Sequence, residues 1–220
     1  MKGWIEALVD LVYPPPDPPD DLRRVEAPMC VRCGEPFSAA ADAVIRCSNC
    51  AGRRWWLEQA RAAYRAEGGV RECIHEFKYH RQFHHLRLLA GWLEEGFDRF
   101  YAAEAWDGLV PVPLHPARRA ERGFNQAEEL ARQLSRASGI PVCRGLKRVR
   151  RTETQTRLRR SERIRNQEQA FALKRGFDAA GRRLLIVDDV FTTGATVNAC
   201  ARILAQAGAA RVCALTVARG

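Results

Sequence analysis

The run Leu184-Leu185-Ile186-Val187-Asp188-Asp189-Val190-Phe191-Thr192-Thr193-Gly194-Ala195-Thr196 carries the residues best suited to chemistry in this chain of 220 residues. An apolar stretch ends in two carboxylates, and a hydroxyl-rich turn then opens a helix. In a parallel sheet, ligands gather at the carboxyl ends of strands, and a loop feeding a helix N-terminus presents backbone N–H groups to a phosphate. Gly194 lets the backbone approach an anion closely, and Thr192, Thr193 and Thr196 add hydroxyl donors. Asp188 and Asp189, just upstream, are placed to accept hydrogen bonds from sugar hydroxyls. The loop has neither the Gly-x-x-x-x-Gly-Lys of a Walker A nor the Gly-x-Gly-x-x-Gly of a dinucleotide fold. An Asx turn that only caps a helix would also use Asp and Thr, but capping does not require two carboxylates, a glycine and three threonines together.

A second chemical cluster is cysteine. Four of the eight cysteines fall as Cys30-x-x-Cys33 and Cys47-x-x-Cys50, with thirteen residues between the pairs. Two knuckles of this spacing present four thiolates in a tetrahedron, which is the ligand set of structural Zn2+. Gly34 follows Cys33 where the tight turn wants a residue tolerant of positive φ. Four protein ligands close the metal's coordination, so the site is expected to be structural or partner-docking and not catalytic. Cys73, Cys143, Cys200 and Cys213 stand singly among apolar residues and are expected in the core.

The third cluster is basic. The chain holds 36 Lys plus Arg against 26 Asp plus Glu, a net of +10. Residues 115–175 contain seventeen basic and six acidic side chains, a net of +11, so this segment accounts for the whole excess. The field calls for an anionic partner and leaves open a phosphorylated small ligand, a nucleic acid or an acidic protein. Within it, Arg118, Arg119 and Arg122 follow the apolar run Leu109-Val110-Pro111-Val112 in what reads as a loop, and arginine's planar fork suits phosphate oxygens. Arg122 is the favoured ligand, because Gly123, Asn125 and Gln126 beside it read as the start of a helix with polar groups turned to a cleft. Arg119 reads as a surface charge, and His115 as a loop histidine with its own partner. The run Lys147 to Arg165 has nine basic and two acidic residues and no aromatic, so DNA contact there would be to phosphates and salt-dependent.

The elements that must position these groups follow from periodicity. At 46% hydrophobic and 28% charged the composition is that of a globular chain, which excludes wholesale disorder and fibrous folds. Trp4, Ile5, Leu8, Leu11 and Val12 have helical spacing, and Pro14, Pro15, Pro16, Pro18 and Pro19 form a stiff linker. Residues 1–28 are therefore assigned to an amphipathic helix and linker, 29–55 to the cysteine ribbon, and 56–220 to the main domain. In that domain, strands are expected near Ala60–Tyr64, at Leu109–Val112, Ile140–Val142, Leu184–Val187 and Val212–Val217. Helices are expected after Gly68-Gly69, over Phe83–Phe100, through Ala127–Leu134 to Gly139, and over Thr196–Ala207. This alternation is that of an α/β fold with a parallel sheet. No run approaches the apolar length of a membrane helix, and Glu6 and Asp10 interrupt the N-terminus where a signal peptide would be continuous, so a cytoplasmic location is expected.

The stretch from Leu184 to Thr196 resembles the phosphoribosyl pyrophosphate (PRPP) motif of type I phosphoribosyltransferases. With Phe77-Lys78-Tyr79, Asp107 to Ala127, Gln155, Arg165, Asn166, Phe171 and the cysteine ribbon, the chain from Cys30 to Gly220 resembles the ComF family of competence-associated proteins. That resemblance implies a type I phosphoribosyltransferase-like parallel sheet flanked by helices, an N-terminal zinc ribbon, and a role in handling incoming DNA during natural transformation. It further implies PRPP with its 5′-phosphate in the loop Thr192–Thr196, its ribose hydroxyls on Asp188 and Asp189 as catalytic carboxylates, and Mg2+ bridging hydroxyls and pyrophosphate. Arg122 and the run Lys147–Arg165, as a mobile loop and hood, would neutralise the leaving group. Two readings remain: a phosphoribosyltransferase, or a binding module that senses a phosphoribosyl ligand while its basic segment holds single-stranded DNA or a recombination protein. A third assigns the function to the ribbon alone, as a partner-docking element.

Overall fold

The computed structural model describes residues 16–37, 46–79, 84–150 and 170–220. The expected N-terminal helix and most of the basic run, with Gln155, Arg165 and Asn166, lie outside them.

Four parallel strands form one sheet in the order β1 (Ala60–Arg65), β6 (Arg211–Arg219), β5 (Arg183–Phe191), β2 (Gly108–Pro111). The apolar run at 184–187 is buried on both faces, as a central strand of a parallel sheet must be. Its alternation divides the core. Leu185 and Val187 pack with α1 (Gly68–Tyr79), α2 (His84–Phe100) and α4 (Gln126–Ser138), while Leu184 and Ile186 pack with α5 (Ala195–Gln206) and the cysteine ribbon. Burying apolar area on two faces at about 25 cal/mol per Å² is the main term that holds such a domain together.

Helix ends are set by local chemistry. Asp21, in the acidic pair after the prolines, accepts from the Gly69 amide at 3.2 Å and ties the linker to the start of α1. Asn125 caps α4 through Ala127 N–H at 3.2 Å, and its amide donates to Val112 O at 3.0 Å. Its side chain is taken up by the cap, and Asn125 also lines the cavity beside the loop that follows β2. Residues expected to form a loop after β2 instead make a short helix, α3 (Pro116–Arg122), with His115 accepting from Ala117 N–H, proline at its first turn and Gly123 closing it at φ +85°. His115 therefore has its own partner.

The run Ile140–Val142 is not a strand. Val142 makes one isolated bridge to Leu109, because Pro141 has no N–H to extend a ladder. Two strands that periodicity did not indicate, β3 (Leu146–Arg148) and β4 (Phe171–Leu173), pair antiparallel outside the main sheet. Of the four single cysteines, Cys73, Cys200 and Cys213 are buried and Cys143 is half-buried. No helix among the described residues is long and apolar enough to cross a membrane.

Candidate functional site

All four parallel strands point their carboxyl ends to one edge, and there β5 delivers the acidic pair. Asp188 and Asp189 are 8% and 3% exposed. Asp188 Oδ1 accepts from the Asp189 backbone N–H at 3.0 Å. Lys78, in the last turn of α1, forms an ion pair with Asp189 Oδ2. Gln126, the first residue of α4, donates from Nε2 to Asp189 Oδ1 at 3.2 Å and accepts from Arg122 Nη1 on its Oε1 at 2.6 Å. A polar chain therefore runs Arg122, Gln126, Asp189, Lys78.

This arrangement treats the two carboxyls differently. Burial, and then the neighbouring Asp189 charge, push Asp188 well above the usual carboxylate range. Burial opposes charge on Asp189 as well, but Lys78 outweighs it with help from Gln126, and holds that carboxyl below its usual range. The two neighbouring acids are thus pushed in opposite directions, and an added cation would favour the charged form of both.

After Phe191 the chain leaves the sheet through Thr192 and Thr193, both exposed, and enters α5 at Gly194 with φ +72°. A side chain at Gly194 would project to within 2.7 Å of Trp55 Cη2 and also collide with Phe191. Glycine is therefore required by the left-handed turn and by this packing, a reason different from the close ligand approach expected from sequence. As N-cap it contributes no side-chain hydrogen bond to α5, and Thr193 Oγ1 accepts from Ala195 N–H at 3.4 Å. Ala195 and Thr196 are half-buried.

Arginines surround this turn. Arg219, buried at 8%, donates to Thr192 O at 2.8 Å and Phe191 O at 3.1 Å. Arg53 donates to Thr193 O at 2.7 Å. Arg148 on β3 lies near enough to feel the charges of Arg118 and Asp188, and burial is the larger influence on its guanidinium. Arg119 is 3.6 Å from Glu128. Next to the loop that follows β2 is a cavity of about 320 Å³, lined by Arg119, Arg144, Lys147, Arg148 and Lys174 around buried Glu128.

The ribbon's four sulfurs converge: the Sγ atoms of Cys30, Cys33, Cys47 and Cys50 all lie within 4.8 Å of one another, and all four residues are buried. Ligands about 2.3 Å from a shared Zn2+ stand about 3.8 Å apart in a tetrahedron, so the cluster can hold such an ion. Each knuckle is closed by backbone bonds, Gly34 N–H to Cys30 O at 2.9 Å and Cys50 N–H to Cys47 O at 2.9 Å. Burial opposes the Cys30 thiolate, but backbone N–H groups of Cys33, Cys47 and Arg32 outweigh it and lower that thiol to about 7. Burial raises Cys33 to about 11 and raises Cys50 further. A cation at the centre would reverse those rises.

Lys78, Gln126, Arg148 and Arg219 join the site, and for Arg148 and Arg219 no sequence signal marks them as part of it. For Lys78 the signal was its place in the Phe77-Lys78-Tyr79 triplet, and for Gln126 its place at a helix start.

A strand ending in two carboxylates, a threonine-glycine turn and a following helix, set in a parallel sheet, define a phosphoribosyltransferase-like domain. The family model for the phosphoribosyl transferase domain matches residues 120–220. Over 205 residues the chain is 31% identical to competence protein ComFC of Bacillus subtilis, covering 90% of this chain and 80% of that protein. Over 189 residues it is 34% identical to competence protein F of Haemophilus influenzae, covering 82% and 80%. Over 195 residues it is 32% identical to DNA utilization protein YhgH of Escherichia coli K12, covering 86% and 83%. The chain belongs to this family of ComF-type competence proteins with a phosphoribosyltransferase-like domain.

Proposed function

We propose that the site binds a 5-phosphoribosyl ligand of the PRPP class together with Mg2+. The observation that supports this most is the buried acid pair at the end of β5, held by Lys78 and Gln126 and set just before a loop that offers amides and three threonines to a dianion. In this reading the 5′-phosphate lies in Thr192–Thr196, including the Gly194 and Ala195 backbone, and the ribose diol is held by Asp188 and Asp189. The donor set of two carboxylates suits a hard cation that prefers oxygen. Mg2+ bound there supplies charge neutralisation for the diol and the diphosphate.

The chain's own residues then have distinct tasks. Lys78 balances Asp189 while the site awaits ligand. Asp188 and Asp189 stabilise positive charge on the sugar ring as the bond from its anomeric carbon to pyrophosphate breaks and a nucleophile takes its place. Arg122 reaches the acid pair through Gln126, and Arg118 and Arg148 are further cations able to neutralise a leaving diphosphate. The ribbon cysteines hold Zn2+ as a structural ion. The relatives' printed names, competence protein and DNA utilization protein, support a role in the DNA-uptake pathway of natural transformation.

Isothermal titration of the metal-loaded protein with PRPP, with and without Mg2+, tests the reading, followed by pyrophosphate release with candidate bases. Mg2+-dependent binding that disappears in Asp189→Asn supports it, and no PRPP binding in either condition refutes it. Turnover lost in the same variant identifies an enzyme. A second reading, a module that senses the phosphoribosyl ligand and holds single-stranded DNA or a recombination protein, is favoured by the cationic cavity beside the site. PRPP binding without turnover, together with salt-sensitive DNA binding, selects it.

A further inference from the structure

Both knuckles of the ribbon reach the phosphate loop. From the first, Glu35 forms an ion pair with Arg219, whose other side-chain nitrogen holds Phe191 O and Thr192 O. From the second, the residues that follow Cys50 lie directly on the loop. Arg53 donates to Thr193 O at 2.7 Å, and its guanidinium covers the Trp55 ring at 4.4 Å. Trp55 stacks on Phe191 with ring centroids 6.3 Å apart and planes 18° from parallel, against Gly194. Asn198 in the first turn of α5 accepts from Trp56 N–H at 2.8 Å and donates to Arg54 O at 3.1 Å.

The backbone carbonyls of three consecutive residues, Phe191, Thr192 and Thr193, are thus held by arginines that belong to, or are paired with, the ribbon. A carbonyl held from outside fixes the rotation of its peptide plane, and therefore the direction of the next N–H, which is what an oxyanion in the loop would read. The two knuckles are separated by thirteen residues and are brought together at the four sulfurs. With no ion at that centre, clustered thiolates repel or must each hold a proton, and the two anchor points lose their common origin.

We infer that the four-cysteine ribbon is a buttress of the phosphate loop, with Arg53, Trp55, Arg219 and Asn198 as positioning residues, so that metal binding at the cysteines and phosphate binding at Thr192–Thr196 are energetically coupled. The ligand half of this inference rests on the phosphoribosyl reading above; the mechanical half does not. Coupling between two sites is reciprocal, so the factor by which metal strengthens ligand binding equals the factor by which ligand strengthens metal retention.

Amide hydrogen exchange on the full chain, Zn2+-loaded and after chelation, tests the mechanical half. Exchange over residues 192–198 is expected to rise at least about tenfold on chelation, while 184–187 and 212–217 keep their protection. Zn2+-loaded Asn198→Ala is expected to show part of the same rise. Unchanged exchange over 192–198, or an even rise across the whole sheet, overturns the inference. Ribose 5-phosphate is the probe for the other half. Its affinity is expected to fall at least about tenfold in the chelated protein, it is expected to strengthen zinc retention against a chelator by the same factor, and both factors should be smaller in Asn198→Ala. Equal ribose 5-phosphate affinity with and without zinc refutes the coupling. If the zinc-loaded protein binds neither ribose 5-phosphate nor PRPP, the phosphoribosyl reading fails, and the exchange measurement still decides whether the ribbon holds the loop.

Discussion

Lys78 on α1 and Asp189 at the end of β5, 111 positions apart in the chain, form an ion pair whose carboxylate is almost wholly buried. With the Gln126–Asp189 hydrogen bond it ties the helical layer to the acidic end of the central strand, and it favours the charged form of Asp189.

Replacing Lys78 by Met leaves a buried acid pair without its cation. The expected loss of stability at pH 7 is about 3–5 kcal/mol, the usual cost of breaking one side of a buried pair. Because Asp189 is held below the ordinary carboxylate range, its contribution is present above that range and lost as pH falls through the depressed value. Urea denaturation of the two proteins should therefore differ most at neutral pH and converge below about pH 4. A gap that stays constant down to pH 3 contradicts the assignment.

Asp188 has the opposite sign. Its acid is raised, so the stability it contributes is full below the ordinary carboxylate range and declines as pH rises through the raised value. Asp188→Asn removes that decline. At pH 8 the variant should melt at least about 2 °C higher than the parent, the shift that about 0.5–1 kcal/mol produces in a domain of this size, and the gap should narrow toward pH 5. Mg2+-dependent PRPP binding should be lost in the same variant. A lower melting temperature at pH 8 counts against a neutral Asp188.

Gly194→Val introduces a β-branched side chain at φ +72° and drives it into Trp55 and Phe191. Strain and overpacking together should cost about 2–4 kcal/mol. Binding of ribose 5-phosphate should disappear with it. A variant of unchanged denaturation midpoint and unchanged affinity shows that this turn is not shaped as described.

Arg157, Arg159 and Arg160 lie outside the described residues, but their charge is tested directly. Changing all three to Gln should weaken binding of a single-stranded oligonucleotide and make the slope of log affinity against log salt shallower by about 2, from about 0.7 per phosphate contact removed. An unaltered slope moves the polyanion site elsewhere, with the cavity around Arg144, Lys147 and Lys174 the next place to probe by the same titration.

The motif-bearing parts of this molecule were legible because their signals are local. The apolar run before Asp188, the αL glycine after Cys33, and the paired Cys-x-x-Cys spacings each announce themselves within a few residues. What could not be read depends on distant partners. Strands of three residues, such as β3 and β4, offer too few positions for a period to show. The short helix α3 hides in a basic stretch with no buried residue to mark a stripe, and only its cap chemistry gives it away. Asn125 was legible as part of a helix start, but the bond from its amide to Val112 O joins it to a segment thirteen positions away. Trp55 closes the stretch assigned to the ribbon, and its stacking on Phe191 joins chain segments 136 positions apart.

The position of β6 has a consequence for how the molecule is made. Within the main sheet β1 pairs with β6 and with no other strand, Ala60 lying opposite Ala214, so its hydrogen-bonding edge waits for about 150 further residues to leave the ribosome. At roughly 5–20 residues per second that is on the order of ten to thirty seconds. The cysteine knuckles emerge well before then. Nascent chains stopped short of Arg211 therefore carry β1 without its partner in the sheet, and such fragments should be insoluble unless a chaperone holds them.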